Sequence, residues 1–171
     1  KIGAYMAETM IRKYSTEERL GRMELDVITV TPTCDASGTD DNDVLFDFVE
    51  IPYAASIDGG ACLLHSIQLL DGDDVGAKLD LVFATANTAL GTIDAAVSIT
   101  DANAQEILGY VQLEDYFDGI NWKMSTKSSV GLALKCAEGT RSLYVAGVNR
   151  NGASITQTAS GIQLKLGLLK D

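Results

Sequence analysis

Few side chains in this sequence can do chemistry. The chain holds one histidine, His65, and three cysteines, Cys34, Cys62 and Cys136. A serine triad needs an imidazole to take the hydroxyl proton, so it would have to use His65. That residue lies in Leu63-Leu-His-Ser-Ile67, in strand phase with Leu63, Ile67 and Leu69. A histidine so placed reads as packed or at a sheet rim rather than catalytic. The cysteines lack the C-x-x-C spacing that holds zinc. Cys62 and Cys136 fall in apolar runs and read as small hydrophobes, whereas Cys34 falls in a polar loop. An odd count argues against a secreted disulfide framework. GxSxG, HExxH, GxxxxGK[ST] and GxGxxG are all absent. The residues therefore predict a non-enzyme with no cofactor.

Calcium is the one ligand that the residue types bring forward. Asp35, Asp40, Asp41 and Asp43 crowd one stretch with Asn42, and Asp71, Asp73 and Asp74 crowd another. Calcium takes about six to eight oxygens, often from such clusters. Neither cluster fits an EF-hand frame, because no glutamate closes it. The competing reading is that Asp and Gly simply make good polar turns.

The elements that must position these residues are strands. Leu25–Thr31, Val44–Val49, Cys62–Leu70, Leu79–Phe83, Val97–Ile99, Val130–Cys136, Leu143–Val148 and Ile162–Leu168 alternate or are rich in β-branched residues. Val44, Phe46 and Phe48 would share one face, as would Leu79, Leu81 and Phe83. Asp35–Gly38, Asp58–Gly60, Asp71–Asp74, Asp118–Gly119, Glu138–Gly139 and Asn151–Gly152 carry turn chemistry between them. One short helix is expected over Ala102–Leu108, capped by Thr100 or Asp101 and ended by Gly109, with Ile107 and Leu108 as its core contacts. Eight or nine short strands predict a mainly β fold, an antiparallel sandwich or jelly-roll-like domain over residues 24–171.

Residues 1–23 read differently, as an extended arm. Ser15 with Glu18 is a capping-box pattern, so a turn or two of helix is expected around Thr16 to Leu20. Met6-Ala7-Glu8 looks like an ordinary translation start, leaving Lys1 to Tyr5 as a cloning remnant or an alternative start. Arg12, Lys13, Tyr14, Arg19 and Arg22 are the arm's candidate partner-binding residues.

Charge divides the chain in the same way. Of 171 residues, 24 are acidic and 13 basic, a net charge of −11. Residues 1–23 hold five basic and three acidic side chains; residues 24–118 hold Lys78 against nineteen acidic ones; residues 119–171 hold seven basic and two acidic ones. A polyanion repels nucleic acid, so no direct nucleic-acid partner is expected. No apolar run approaches the roughly 20 residues of a membrane-spanning helix, and no signal-peptide pattern stands at the start. The acidic middle reads either as a solvated face or as one pole of a molecule that docks on a neighbour or on its own copies.

Residues 43–169 resemble the small β-rich virion proteins of tailed bacteriophages. The likeness is carried by Val44-Leu-Phe-Asp, Glu50-Ile-Pro-Tyr-Ala, Gly59-Gly60-Ala, Ser66-Ile-Gln-Leu-Leu-Asp71 and Leu79-Asp-Leu-Val-Phe83. Leu90-Gly-Thr, Ala95–Ala104, Ser142–Gly147 and Ala159–Leu168 continue it. It does not reach the arm. The resemblance implies a virion component, chiefly a capsid decoration (cement) protein on the shell surface, with the major capsid protein or copies of itself as partners. A tail, baseplate or head-fibre component is the first alternative. A receptor- or glycan-binding module is the second, for which Tyr110, Tyr116, Phe117 and Trp122 are the aromatic candidates.

Overall fold

A computed structural model describes residues 24–171; the arm residues Arg12, Lys13, Tyr14, Arg19 and Arg22 and the Ser15–Glu18 capping box lie outside them. Nine strands are described: β1 (Glu24–Val30), β2 (Val44–Ile51), β3 (Ala61–Asp71), β4 (Leu79–Ala84), β5 (Ile107–Leu113), β6 (Phe117–Asp118), β7 (Lys123–Lys135), β8 (Leu143–Asn149) and β9 (Ile162–Lys170). One helical turn, α1 (Asp101–Ala104), precedes β5. The strands form a β-sandwich of two antiparallel sheets, ordered β1-β9-β3-β7-β6 and β2-β8-β4-β5. Four pairs nest along the chain: β1 with β9, β2 with β8, β3 with β7 and β4 with β5.

The core follows from alternation. Leu64, Ile67 and Leu69 of β3, Leu79, Leu81 and Phe83 of β4, and Leu164, Leu166 and Leu168 of β9 face inward and are all but fully buried. A second apolar cluster lies on the outside of the four-stranded sheet. Val44, Phe48, Ala84, Ala146 and Val148 are covered there by Leu90 and Ile99 from the crossover between β4 and β5.

Several expectations need correction. The helix is shorter than Ala102–Leu108, because Asp-Ala-Asn-Ala offers no apolar stripe and buries nothing. Thr100 is its cap, accepting from the Asn103 amide at 3.2 Å. Ile107 and Leu108 belong to β5, where a β-branched apolar run pairs along β4. Gly109 is therefore not a helix stop. It stands opposite Phe83, where a Cβ would press on Leu132. Val97–Ile99 is loop; its neighbourhood pairs with β2 only through isolated bridges, Asp43 with Ala96 and Val44 with Ile93, beside the Leu90 amide's bond to Asp47 Oδ1 at 2.9 Å. Val44, Phe46 and Phe48 do not share a face. Register shifts on either side of Phe46 turn it into the main core while Val44 and Phe48 face the crossover.

His65 is likewise out of the expected phase. Leu64 and Ser66 of β3 pair with the adjacent residues Leu168 and Gly167 of β9, so His65 is the extra residue of a β-bulge. The bulge leaves Leu63 on the outer face and puts Ile67 and Leu69 inside. Gly167 permits it, since a Cβ there would run into Ser66 Oγ.

Candidate interaction surface

Most carboxylates of the two Asp clusters hold turns; those of Asp40 and Asp43 do not. Asp35 accepts from the Ser37 hydroxyl at 2.5 Å, and that bond holds its carboxyl below the usual range. Asp41 accepts from the Gly152 amide at 2.8 Å and from Asn42 Nδ2 at 2.6 Å. Asp71, almost fully buried, accepts from the amides of Asp73 (3.0 Å) and Gly76 (2.6 Å). Asp73 turns away to accept from the Thr158 amide at 2.6 Å, and Asp74 lies 3.7 Å from Lys123 Nζ. Among the described residues, no three His, Cys, Asp or Glu side chains converge as a metal site would require. Asp40 and Asp43 contribute to an acidic pole around Asp94, whose carboxyl is pushed up by desolvation and by Asp35, Asp40 and Asp43.

His65 is exposed on its bulge, and no described side chain hydrogen-bonds to it. All three cysteines are free and buried. Cys34 does lie in the loop between β1 and β2, but its amide bonds to Ala159 O at 3.0 Å and its side chain joins the main core. Burial pushes the Cys34 and Cys62 thiols up to about 12, which makes them inert rather than nucleophilic.

The four aromatic candidates do not gather. Tyr116 is half-buried, and its hydroxyl donates to Ala77 O at 2.6 Å. Phe117 and Trp122 pair at 5.8 Å at the far corner of the five-stranded sheet. Tyr110 lies on the other sheet and is exposed.

What the fold does bring together is the outer face of the five-stranded sheet. Cross-strand register sets it in rows. Leu25, Leu169, Leu63 and Ala133 form the first; Val27, Gly167, Ser66 and Ser128 the second; Thr29, Lys165, Gln68 and Thr126 the third. Gln163, Leu70, Met124 and Phe117 form the fourth. Lys165 is the one charged residue in these rows, and none is acidic. Leu25 is 63% exposed and Val27 58%, both on the edge strand β1. At the Phe117 end, Ile120 tips the β6–β7 turn, almost wholly exposed beside Trp122. Apolar side chains fill the first row and, Gln163 aside, the fourth, with two mainly polar rows between them.

Lys123, Lys127, Lys135, Lys165 and Lys170 all lie on strands of the five-stranded sheet, together with Glu24, Asp26, Asp71 and Asp118. The four-stranded sheet carries Asp47, Glu50 and Asp80 and no basic residue.

Comparison with known proteins adds a distant likeness. No protein-family profile matches the chain, and no curated protein does. One solved structure, described as the capsid of Ralstonia phage GP4, is similar at 17% identity. The alignment covers 88% of this chain and 86% of that one, with a TM-score of 0.36. Among the described residues, no helix is long and apolar enough to cross a membrane.

Proposed function

We propose that this protein is a non-enzymatic structural component of a bacteriophage virion, a decoration (cement) protein on the capsid surface. In this reading the outer face of the five-stranded sheet docks on the shell, and the acidic pole faces solvent. The observation that carries it is that face, apolar in its first row and, Gln163 aside, in its fourth, and free of carboxylates in all four rows in a chain of net charge −11. A partner with an apolar patch and rim carboxylates would meet it without like-charge repulsion. Two further features support the reading. The nested strand pairs favour a jelly roll, an architecture used by viral capsid and lectin domains. The sequence of residues 43–169 resembles small β-rich virion proteins. The partner is the major capsid protein, and the reading needs neither cofactor nor nucleic acid.

The experiment is cryo-electron microscopy of particles whose genome encodes the chain. Density for the sandwich on the outer shell, with β1 and β9 against it, is expected. Density confined to tail, baseplate or head fibre, or no density at all, would overturn the assignment. Removing Lys1 to Arg22 separates two anchors: reduced occupancy implicates the basic arm, and unchanged occupancy leaves the sheet face as the sole anchor.

A further inference from the structure

A sheet edge presents a row of backbone donors and acceptors, and folded proteins blunt such edges against pairing with other chains. Three of the four edges of this sandwich are blunted. The crossover between β4 and β5 bonds to the backbone of β2: the Val44 amide donates to Ala95 O and the Asp94 amide to Val44 O, both at 2.9 Å. In β5 a register shift interrupts the pairing at Phe83 and Ala84, and Lys127 Nζ takes the Gln112 carbonyl at 2.9 Å. The two-residue β6 covers β7 only at Lys123 and Met124. Beyond them β7 carries Lys127 and Lys135 and is broken by Ser129 and Gly131 at positive φ.

The fourth edge, β1, is different. All seven of its residues pair with β9 in one unbroken register, and it holds no proline, glycine or lysine. Among the described residues, no strand or loop backbone bonds to its free side. Its one inward charge, Asp26, is already held within the sheet by Lys170 Nζ at 2.6 Å and the Val27 amide at 2.8 Å.

The occupant of such an edge is an extended strand, because the free donors and acceptors repeat at strand spacing. β1 fits itself. With a twofold axis through Val27, antiparallel pairing sets Glu24 opposite Val30, Leu25 opposite Thr29, Asp26 opposite Ile28, and Val27 opposite its own copy. All seven residues then pair and no carboxylate opposes another. An axis through Asp26 would set that carboxylate against itself, which is unfavourable.

We infer that the free edge of β1 pairs with β1 of a second copy of this chain, joining two five-stranded sheets into one of ten strands. The axis stands perpendicular to the sheet, so the outer faces of both copies point the same way. Two seven-residue strands bury less than a standard interface, so the dimer forms at high concentration. The inference concerns the edge and not the docking face, and its test uses no shell.

Sedimentation velocity of the full chain, from micromolar to millimolar concentration, should show monomer passing into dimer. A chain that stays monomeric throughout would overturn the inference. So would a chain that dimerises only after residues 1–23 are removed, since the arm would then occupy the edge of its own chain. Register is read by cross-linking. Directly opposite residues stand about 4.5–5.5 Å apart, within reach of a disulfide. Val27→Cys chains should therefore join on mild oxidation with diamide, while the three native cysteines stay buried. Leu25→Cys, about 13 Å from its own copy, should join on the order of tenfold more slowly. Mixing Leu25→Cys with Thr29→Cys chains should restore the faster rate. Equal rates for Val27→Cys and Leu25→Cys, or no cross-link at Val27→Cys, would overturn the pairing.

Discussion

Replacing Leu25 and Val27 together with lysine tests the docking face with the fold held constant. Fully burying a leucine or valine contributes about 1.5–3 kcal/mol. Leu25 and Val27 are 63% and 58% exposed, so roughly three-fifths of that gain is still open to a partner. That is about 1–2 kcal/mol per residue, or about 2–4 kcal/mol for the pair. Docking should weaken roughly 30- to 700-fold. The isolated chain should barely notice. Both positions face solvent, and strand propensity at an edge is worth within about 1 kcal/mol. Val27's amide donates to Asp26 Oδ1 at 2.8 Å, a bond that the side-chain change leaves in place. Calorimetry should therefore show Tm moving by less than about 4 °C. Co-sedimentation with shells stripped of the protein measures the binding loss. Unchanged binding would show that the face makes no contact, and a large drop in Tm would show that it is already used within the folded chain.

Four other outcomes are expected. Gly147→Ala would drive a Cβ into the buried ring of Phe46, costing about 1–3 kcal/mol in urea unfolding, and Phe46→Leu in the same chain should recover part of the loss. Asp26→Asn would remove the carboxylate 2.6 Å from the buried Lys170 ammonium; with Asp26 46% exposed and screened by solvent, stability near neutral pH should fall by about 0.5–1 kcal/mol. The Lys170 hydrogen bond holds the Asp26 carboxyl below its ordinary 3.8, so this stability is present above that value and is lost as pH falls through the lower, folded-state value; the acid limb of a pH–stability curve should be shallower in the variant. Millimolar calcium should leave Tm unchanged, because Asp41, Asp71 and Asp73 already accept backbone N–H groups; a rise of several degrees would mean that one of the turns rearranges around the ion. Iodoacetamide at pH 8 should leave Cys34 and Cys62 unmodified in the native chain, since burial holds both thiols at about 12, and rapid labelling would contradict their burial.

Where a strand alternates without interruption, period and structure agree. Leu79–Phe83 and Ile162–Leu168 are legible because each inward residue meets the same core as its neighbour two along. The failures fall where an extra residue or a competing signal intervenes. Bulges cannot be seen in a hydrophobic pattern, since Phe46 and His65 are shifted by pairing with β8 and β9 rather than by their own side chains. Thr100-Asp-Ala-Asn starts a helix by local capping, but the apolar run from Ile107 gains more by pairing with β4. The first half of β7, Lys123 to Ser129, is polar enough to read as loop. It is a strand because β3 offers a partner along its length.

The proposed docking face was hidden for a related reason. In β1 the residues Leu25, Val27 and Thr29 alternate with Asp26, Ile28 and Val30, and period alone does not say which set faces the core. Only register resolves it, by placing Leu25 beside Leu169, Leu63 and Ala133, positions well over 100 residues apart at the extremes. The charge pattern anticipated unlike poles but ran along the chain, whereas the structure sorts acidic residues in space: the crossover and its neighbouring loops gather Asp35, Asp40, Asp43 and Asp94, while the five lysines of β7 and β9 share their sheet with Glu24, Asp26, Asp71 and Asp118.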